Sequence, residues 1–410
     1  MKREDIEILA PVGSWESLAV AVKSGAYAVY FGIDRLNMRS KSTVNFSLKD
    51  LAEIAHFCNS QNVKTYMTLN TLIYNEDLSL MRDLVNAAKD NHIDAIIGSD
   101  ISVIQYANSI GVEVHISTQQ NISNIEAVKF FSEFADVMVL ARELTLHQIK
   151  EISDTIYKDN IRGPSGNLIK LELFIHGALC MAISGKCYLS LHSYNKSANC
   201  GNCLQICRRS YIVTDKETNN EFEIDNHFIM SPKDLCTIGF LDQIINSGIS
   251  VLKIEGRARP PDYVKTVVES YREAVNAIYD GTYSLEKIVS WKTQLSKVFN
   301  RGFWNGYYLG KTIGEWSDSY GSQATKKKVY IGKGMNYFSN LHIAEFLVET
   351  GSVSVGDEII ITGPTTGLVE TQIKEIRVNL LSVNEAVKGD RFSMMIDVQI
   401  RRSDKLYKII

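Results

Sequence analysis

The sequence predicts an α/β protein: a (β/α)8 barrel of the TIM type with a long cysteine-rich insertion, followed by a small C-terminal antiparallel β-barrel domain. Three observations lead there. From Glu7 to about Tyr279, short apolar runs alternate with longer amphipathic segments, the rhythm of strand–helix units around a parallel sheet. That rhythm fails over 176–230, where periodicity fades and most of the cysteines fall. After about residue 290, short β-prone runs bounded by turn signals replace it.

The first strand covers Ile6 to Ala10 and leads to a helix from Ser14, whose hydroxyl suits an N-cap. A second strand, Ala28 to Phe31, precedes a helix opened by Ser47, with Leu48, Leu51, Ile54 and Ala55 at helical spacing. Four more strands are expected at Lys64 to Thr68, Ala95 to Gly98, Glu113 to Ile116 and Val137 to Leu140, and the last two at Leu171 to Ile175 and Val251 to Ile254. A doubly wound open sheet is the alternative, but no glycine fingerprint for a dinucleotide follows the first strand.

The barrel is expected over 1–290, with the insertion 176–230 after its seventh strand, at the face where barrels carry their chemistry. An aromatic linker, 291–327, contains NRGFWNGYYLG from Asn300 to Gly310. The runs VYIG, EIIITG, QIKEI and FSMMIDVQI mark the small β domain over 328–410.

The 410 residues are 45% hydrophobic and 22% charged, near the globular average, so disorder is not expected. A net charge of -3 gives no global pull on nucleic acid, although a basic face can still exist. The N-terminus lacks a signal-peptide pattern, and no run approaches the ~18 apolar residues of a membrane span. A cytoplasmic location, where thiols stay reduced, is the expectation. Of seven cysteines, six fall between Cys180 and Cys236, which favours ligation over scatter.

Six residues separate Cys180 from Cys187, fifteen separate Cys187 from Cys203, and three separate Cys203 from Cys207. Four thiolates on an irregular loop can surround an iron–sulfur centre. Zinc also takes four cysteines, usually from tight pairs, and only Cys203/Cys207 has that spacing. Cys200 and Cys236 are reserve ligands, Cys236 after an SPKDL turn that suits a helix start. The plainer reading of both is a small buried hydrophobe. Cys58, on a helical apolar stripe, belongs to the core.

The stretches ELFIHGALC, from Glu172 to Cys180, and GKCYLS, from Gly185 to Ser190, resemble the signature of the collagenase-like peptidases, peptidase family U32. So do LAPVGSWESL, GAYAVYFG, VNFSL at Val44, YMTLNTLIYN at Tyr66 and VLARELTL at Val139. SPKDLC at Ser231, LKIEGRARPPDYV at Leu252 and the NRGFWNGYYLG run extend the likeness over nearly the whole chain. In length and layout the chain is most similar to the branch that forms 5-hydroxyuridine at the tRNA wobble position in a prephenate-dependent reaction. Related branches hydroxylate a ribosomal RNA cytidine or act in oxygen-independent ubiquinone synthesis. The resemblance therefore implies a 4Fe-4S cluster on Cys180, Cys187, Cys203 and Cys207, prephenate as co-substrate, tRNA as partner, and a second protein of the family as a further partner. One departure is Cys200, where relatives commonly carry arginine.

A peptidase is the competing reading. There is no HExxH and no GxSxG, and a Cys–His pair would need Cys180 beside His176.

A dicarboxylate such as prephenate calls for cations at the strand ends. Arg142 follows the sixth strand, Lys253, Glu255 and Arg257 surround the end of the eighth, and Arg39 lies after the second. The bland alternative pairs Arg142 with Glu143 and Glu255 with Arg257 as rim ion pairs. His115, ending the fifth strand, suits a proton donor or a uracil contact, or else a structural histidine. Asn70 and Asn45 can read a base or orient loops, and His176 and Glu172 flank the cluster entry. Arg208, Arg209 and Lys326 to Lys328 are candidate RNA contacts or ordinary surface. Phe303, Trp304, Tyr307 and Tyr308 suit base stacking or, preferably, interdomain packing.

Overall fold

The structure, a computed structural model, describes residues 2–40, 45–212, 216–217, 230–310 and 314–410. Val44 and parts of the insertion and of the linker lie outside them.

Eight strands form the barrel. In chain order β1 is Glu7–Pro11, β2 Ala28–Phe31, β3 Lys64–Leu69, β4 Ala95–Gly98, β5 Glu113–Ile116, β6 Val137–Val139 and β7 Lys170–Ala178. After β8, Asp234–Cys236, the barrel resumes with β9, Val251–Ile254. Neighbours are parallel from β1 to β7, and β9 pairs in parallel with both β1 and β7, which closes the ring. The expected eight strands are all present, differing by at most three residues at their ends.

Their alternation builds two apolar layers. Leu9, Ala28, Tyr30, Tyr66, Ala95, Ile97, Val137 and Val251 fill the interior. The intervening residues, such as Val29, Met67, Ile96 and Met138, pack against the helices. The helix Trp15–Lys23 starts as expected, with Ser14 Oγ accepting from Ser17 N at 3.2 Å. After Ser47 a single 3-10 turn precedes the helix Leu51–Asn59, which buries Leu51, Ile54 and Cys58 against the barrel.

Two short strands lie outside the sequence reading. β8 runs antiparallel to the end of β7, and β10, Phe303–Trp304, runs parallel to β8. Two or three residues carry no usable period, so apolar patterning cannot reveal them. Cys236 therefore opens no helix: it pairs with His176 across the β7–β8 ladder and is buried in the main core. Gly177, at φ +103, lets β7 pass close to β9, since a Cβ there would collide with the Glu255 carbonyl.

The boundary expected at 290 falls inside the helix Leu285–Lys297, whose Trp291 donates to Glu273 at 2.9 Å on the helix Pro261–Tyr279. The linker aromatics pack inward, with Trp304 and Tyr308 buried and Tyr308 Oη donating to Phe174 O at 2.8 Å. Beyond Lys328 the described residues form strands only. Eight make one antiparallel sheet, from Gly367–Gln372 at one edge to Leu381–Val383 at the other, over a core that includes Phe346, Phe392, Ile361 and Leu406. Those outer strands do not pair with each other, so the domain is a sheet rather than a barrel closed by hydrogen bonds. It rests on two barrel helices, where Lys23 Nζ donates to Thr366 O at 2.9 Å and Lys265 Nζ meets Glu370 at 3.0 Å. Among the described residues no helix is long and apolar enough to cross a membrane.

Candidate active site

A cavity opens at the C-terminal ends of the barrel strands. Its floor includes Tyr30, Thr68, Ile97, Phe174 and Lys253 from the strands, with Ser117, Glu255 and Arg257 just beyond them. Its roof is the cysteine loop, from Leu179 to Arg208. Periodicity could not place this roof, because it consists of single turns held by specific contacts. The Arg208 guanidinium donates to Leu179 O, to Pro232 O at 2.6 Å and to Ser231 Oγ at 3.1 Å. Asn121 Nδ2 donates to Ser184 O at 2.8 Å. Gly201, at φ +82, lies so close to the loop after β2 that a Cβ would strike the Asn37 carbonyl and the Ser40 hydroxyl.

Cys180, Cys187, Cys203 and Cys207 all line this cavity. Burial pushes the Cys207 thiol up to about 11, against the pull of Arg208 and with the other three sulfurs raising it further. A buried thiol of this kind ionises when a metal supplies the compensating charge. A single zinc ion would need all four sulfurs about 2.3 Å from one point. Among the described residues no group of three or more Cys, His, Asp or Glu closes round a point in that way. A four-iron cluster takes one thiolate on each iron, and four thiols lining one cavity are such a donor set. Cys200 does not line the cavity; its Sγ lies 3.6 Å from Tyr74 Oη.

Besides Arg208 in the roof, the lining holds Arg39, Arg142, Lys253, Arg257, Arg259 and Arg301 against one carboxylate, Glu255. Burial alone would raise the Glu255 carboxyl, but Arg39, Arg259 and Arg142 outweigh it and hold it at about 2. Neither rim pair considered from the sequence forms. Glu255 pairs with Arg39 at 2.9 Å. Arg257 bonds the neutral Thr68 Oγ1 at 2.8 Å and Asn37 Oδ1 at 3.1 Å, and burial brings its guanidinium down to about 10. Arg142 stacks 4.2 Å over the Phe174 ring, and its buried Nε has no partner. Lys253 Nζ lies 2.5 Å from Glu172 Oε1, and burial draws the amine below its ordinary value despite that carboxylate.

Other expectations meet a different placement. His115 faces the barrel interior one position below Ser117 and does not line the cavity. Its Nε2 lies 3.0 Å from Glu113 Oε1, and its ring packs edge-on to Tyr66 at 4.4 Å. His176 is enclosed by Tyr263, Tyr271 and Phe303, with burial and Arg259 pushing it down to about 3, so it stays neutral and away from Cys180's cavity. Asn70 does line the cavity, whereas Asn45 Nδ2 donates to the Arg39 and Ser40 carbonyls and orients that loop. Arg209 donates to Tyr194 Oη at 2.7 Å, and Lys326 and Lys328 pair with Glu358 and Asp262. The sequence reading missed Arg259, Arg301 and their shared counterion Asp234, at 3.5 and 3.4 Å. The RARPP run beside Arg257 was the one available signal.

These features define a TIM-barrel protein whose strand-end cavity combines four thiols with a cationic floor. Residues 13–318 match peptidase family U32, and the chain belongs to that family. A Porphyromonas gingivalis protein named collagenase is 56% identical over 408 residues, covering 100% of this chain and 99% of its own length. The tRNA hydroxylation protein P1 of Bacillus subtilis is 34% identical over 366 residues, covering 87% of this chain and 83% of its own length. The 23S rRNA 5-hydroxycytidine C2501 synthase of Escherichia coli is 33% identical over 304 residues, 72% of this chain and 44% of its own length.

Proposed function

We propose that this chain is an RNA hydroxylase that forms 5-hydroxyuridine at the tRNA wobble position, with prephenate as co-substrate and a 4Fe-4S cluster on Cys180, Cys187, Cys203 and Cys207. One observation carries the reading: four thiols and Arg142, whose buried Nε has no partner, line the same cavity. The relatives named for tRNA and ribosomal RNA hydroxylation support it.

When bound, the cluster supplies electron transfer or Lewis-acidic iron at the roof of the cavity. The protein groups bind and orient. Arg142, stiffened by its stacking on Phe174, offers the planar fork that a carboxylate accepts. Arg257 and Lys253 give a second carboxylate its positive field from the floor. Leu179 and Ile206, buried in the roof, keep water from the cavity wall, which strengthens these interactions. Asn70 and Thr118 present amide and hydroxyl groups to a base edge.

The relative named collagenase raises peptidase activity as the second reading. Among the described residues, however, no imidazole lines the cavity, and Glu255 is held ionised by arginines. Mass spectrometry of tRNA nucleosides from a deletion strain decides between them. Loss of wobble 5-hydroxyuridine is expected; an unchanged nucleoside profile, with peptide cleavage that survives replacement of all four cysteines, would establish the peptidase.

A further inference from the structure

Barrels of this type usually fill their interiors with layers of branched apolar side chains. This one does not. Glu172 and His115, both essentially inaccessible to solvent, point into the barrel, and each has a buried polar atom without a partner: Glu172 Oε2 and His115 Nδ1. Buried polar atoms almost always find a hydrogen bond, and in a polar interior the missing partner is commonly a water molecule.

The two groups belong to one column. At its upper end Lys253 lines the cavity and holds Glu172 Oε1 at 2.5 Å. At its lower end His115 Nε2 lies 3.0 Å from Glu113 Oε1, and the Glu113 side chain is 44% exposed at the N-terminal face of the barrel. Tyr66 bridges the middle: its ring packs on His115 at 4.4 Å, and its phenol feels both the Glu113 and the Glu172 carboxylates. The strand register agrees. His115 pairs with Val137 and Val137 with Lys170, so Glu172 stands one inward position above His115's level. An ion pair buried this deeply contributes little to stability compared with apolar packing, so its presence calls for another role.

We propose that the barrel axis is a proton path, in which Glu172, internal water, His115 and Glu113 connect the Lys253 amine on the cavity floor to solvent at the opposite face. The Lys253 ammonium passes a proton to the Glu172 carboxylate and recovers one from a bound ligand, and from Glu172 Oε2 a proton moves through water to His115 Nδ1. His115 then releases its Nε2 proton to Glu113, which gives it to solvent. Only O–H and N–H bonds form and break. Lys253, Glu172 and Glu113 return to their starting states, and reorientation of the imidazole ring resets its tautomer.

The first test needs no activity. An atomic-resolution crystal structure of the purified protein is expected to show ordered water bonded to Glu172 Oε2 and His115 Nδ1. A dry gap at both atoms would overturn the path. The second test rests on the proposed RNA hydroxylation. Glu113→Gln, a change at the barrel surface, and His115→Gln are each expected to slow turnover about tenfold or more at unchanged KM, with a larger solvent deuterium isotope effect. Native rates and isotope effects in a folded Glu113→Gln protein would also overturn the path. If the native protein hydroxylates no RNA, the functional reading fails while the water test still decides this one.

Discussion

Arg39 Nη2 meets Glu255 Oε1 at 2.9 Å across the barrel mouth, joining the loop after β2 to the residue that follows β9. The same loop lies against Gly201 in the cysteine roof. One ion pair thus links the cavity floor, through a single loop, to the segment that carries the thiols.

The pair has a pH signature. The Glu255 carboxyl is held at about 2, below its ordinary 4.5. A depressed native value contributes stability that is complete above 4.5 and drains away as pH falls towards 2. Glu255→Gln should therefore cost roughly 2–3 kcal/mol at neutral pH, with the gap narrowing across that acid window. Thermal unfolding of both proteins as a function of pH measures it, and a gap independent of pH would refute the assignment.

Lys253 and Glu172 depend on each other more strongly, because both are buried. Lys253→Met leaves a carboxylate without its counterion and should destabilise by about 3–5 kcal/mol. Adding Glu172→Leu should recover most of that loss. Urea unfolding of the two single variants and the double variant closes the cycle; additive losses would show that the charges are not coupled.

Cavity placement separates the cysteines. Replacing Cys180, Cys187, Cys203 or Cys207 by alanine is expected to strip iron from anaerobically purified protein, whereas Cys200→Ala should retain it. Cys236→Ala should also retain iron while losing about 1 kcal/mol of stability through the small void left in the core. Iron and sulfide per chain are the readout, and iron loss in Cys200→Ala would redraw the ligand set.

Arg142 lines the cavity and, among the described residues, forms no close ion pair with a carboxylate. Arg142→Met should change stability by less than ~1 kcal/mol yet weaken binding of a small dicarboxylate by roughly 10- to 100-fold. Calorimetric titration with prephenate checks the second figure; native affinity in the variant would remove Arg142 from the site.

The barrel was legible because its strands are buried on both faces and appear as unbroken apolar runs, such as AVYF and AIIG. Buried strands leave no ambiguity about membership, but they hide height along the barrel axis. His115 and Ser117 are both inward-facing, and only strand tilt decides that Ser117 reaches the cavity while His115 stays a layer below. Asp234 was invisible for a different reason. Its role as counterion to Arg259 and Arg301 depends on a three-residue strand that forms only when the chain returns beside β7. The four cysteines could be grouped by spacing, but the exclusion of Cys200 depends on a side-chain direction that spacing does not encode.

Apart from Gly201, pinned against the loop after β2, the turns of the roof have a freedom to vary that the floor lacks. Floor residues belong to strands whose pairing closes the barrel, so substitutions there are tested against folding itself. Roof residues between the thiols belong to none of those strands, and their side chains can change without touching that closure. In this architecture a lineage can reshape the cover between the thiols while inheriting the strand ends beneath it unchanged.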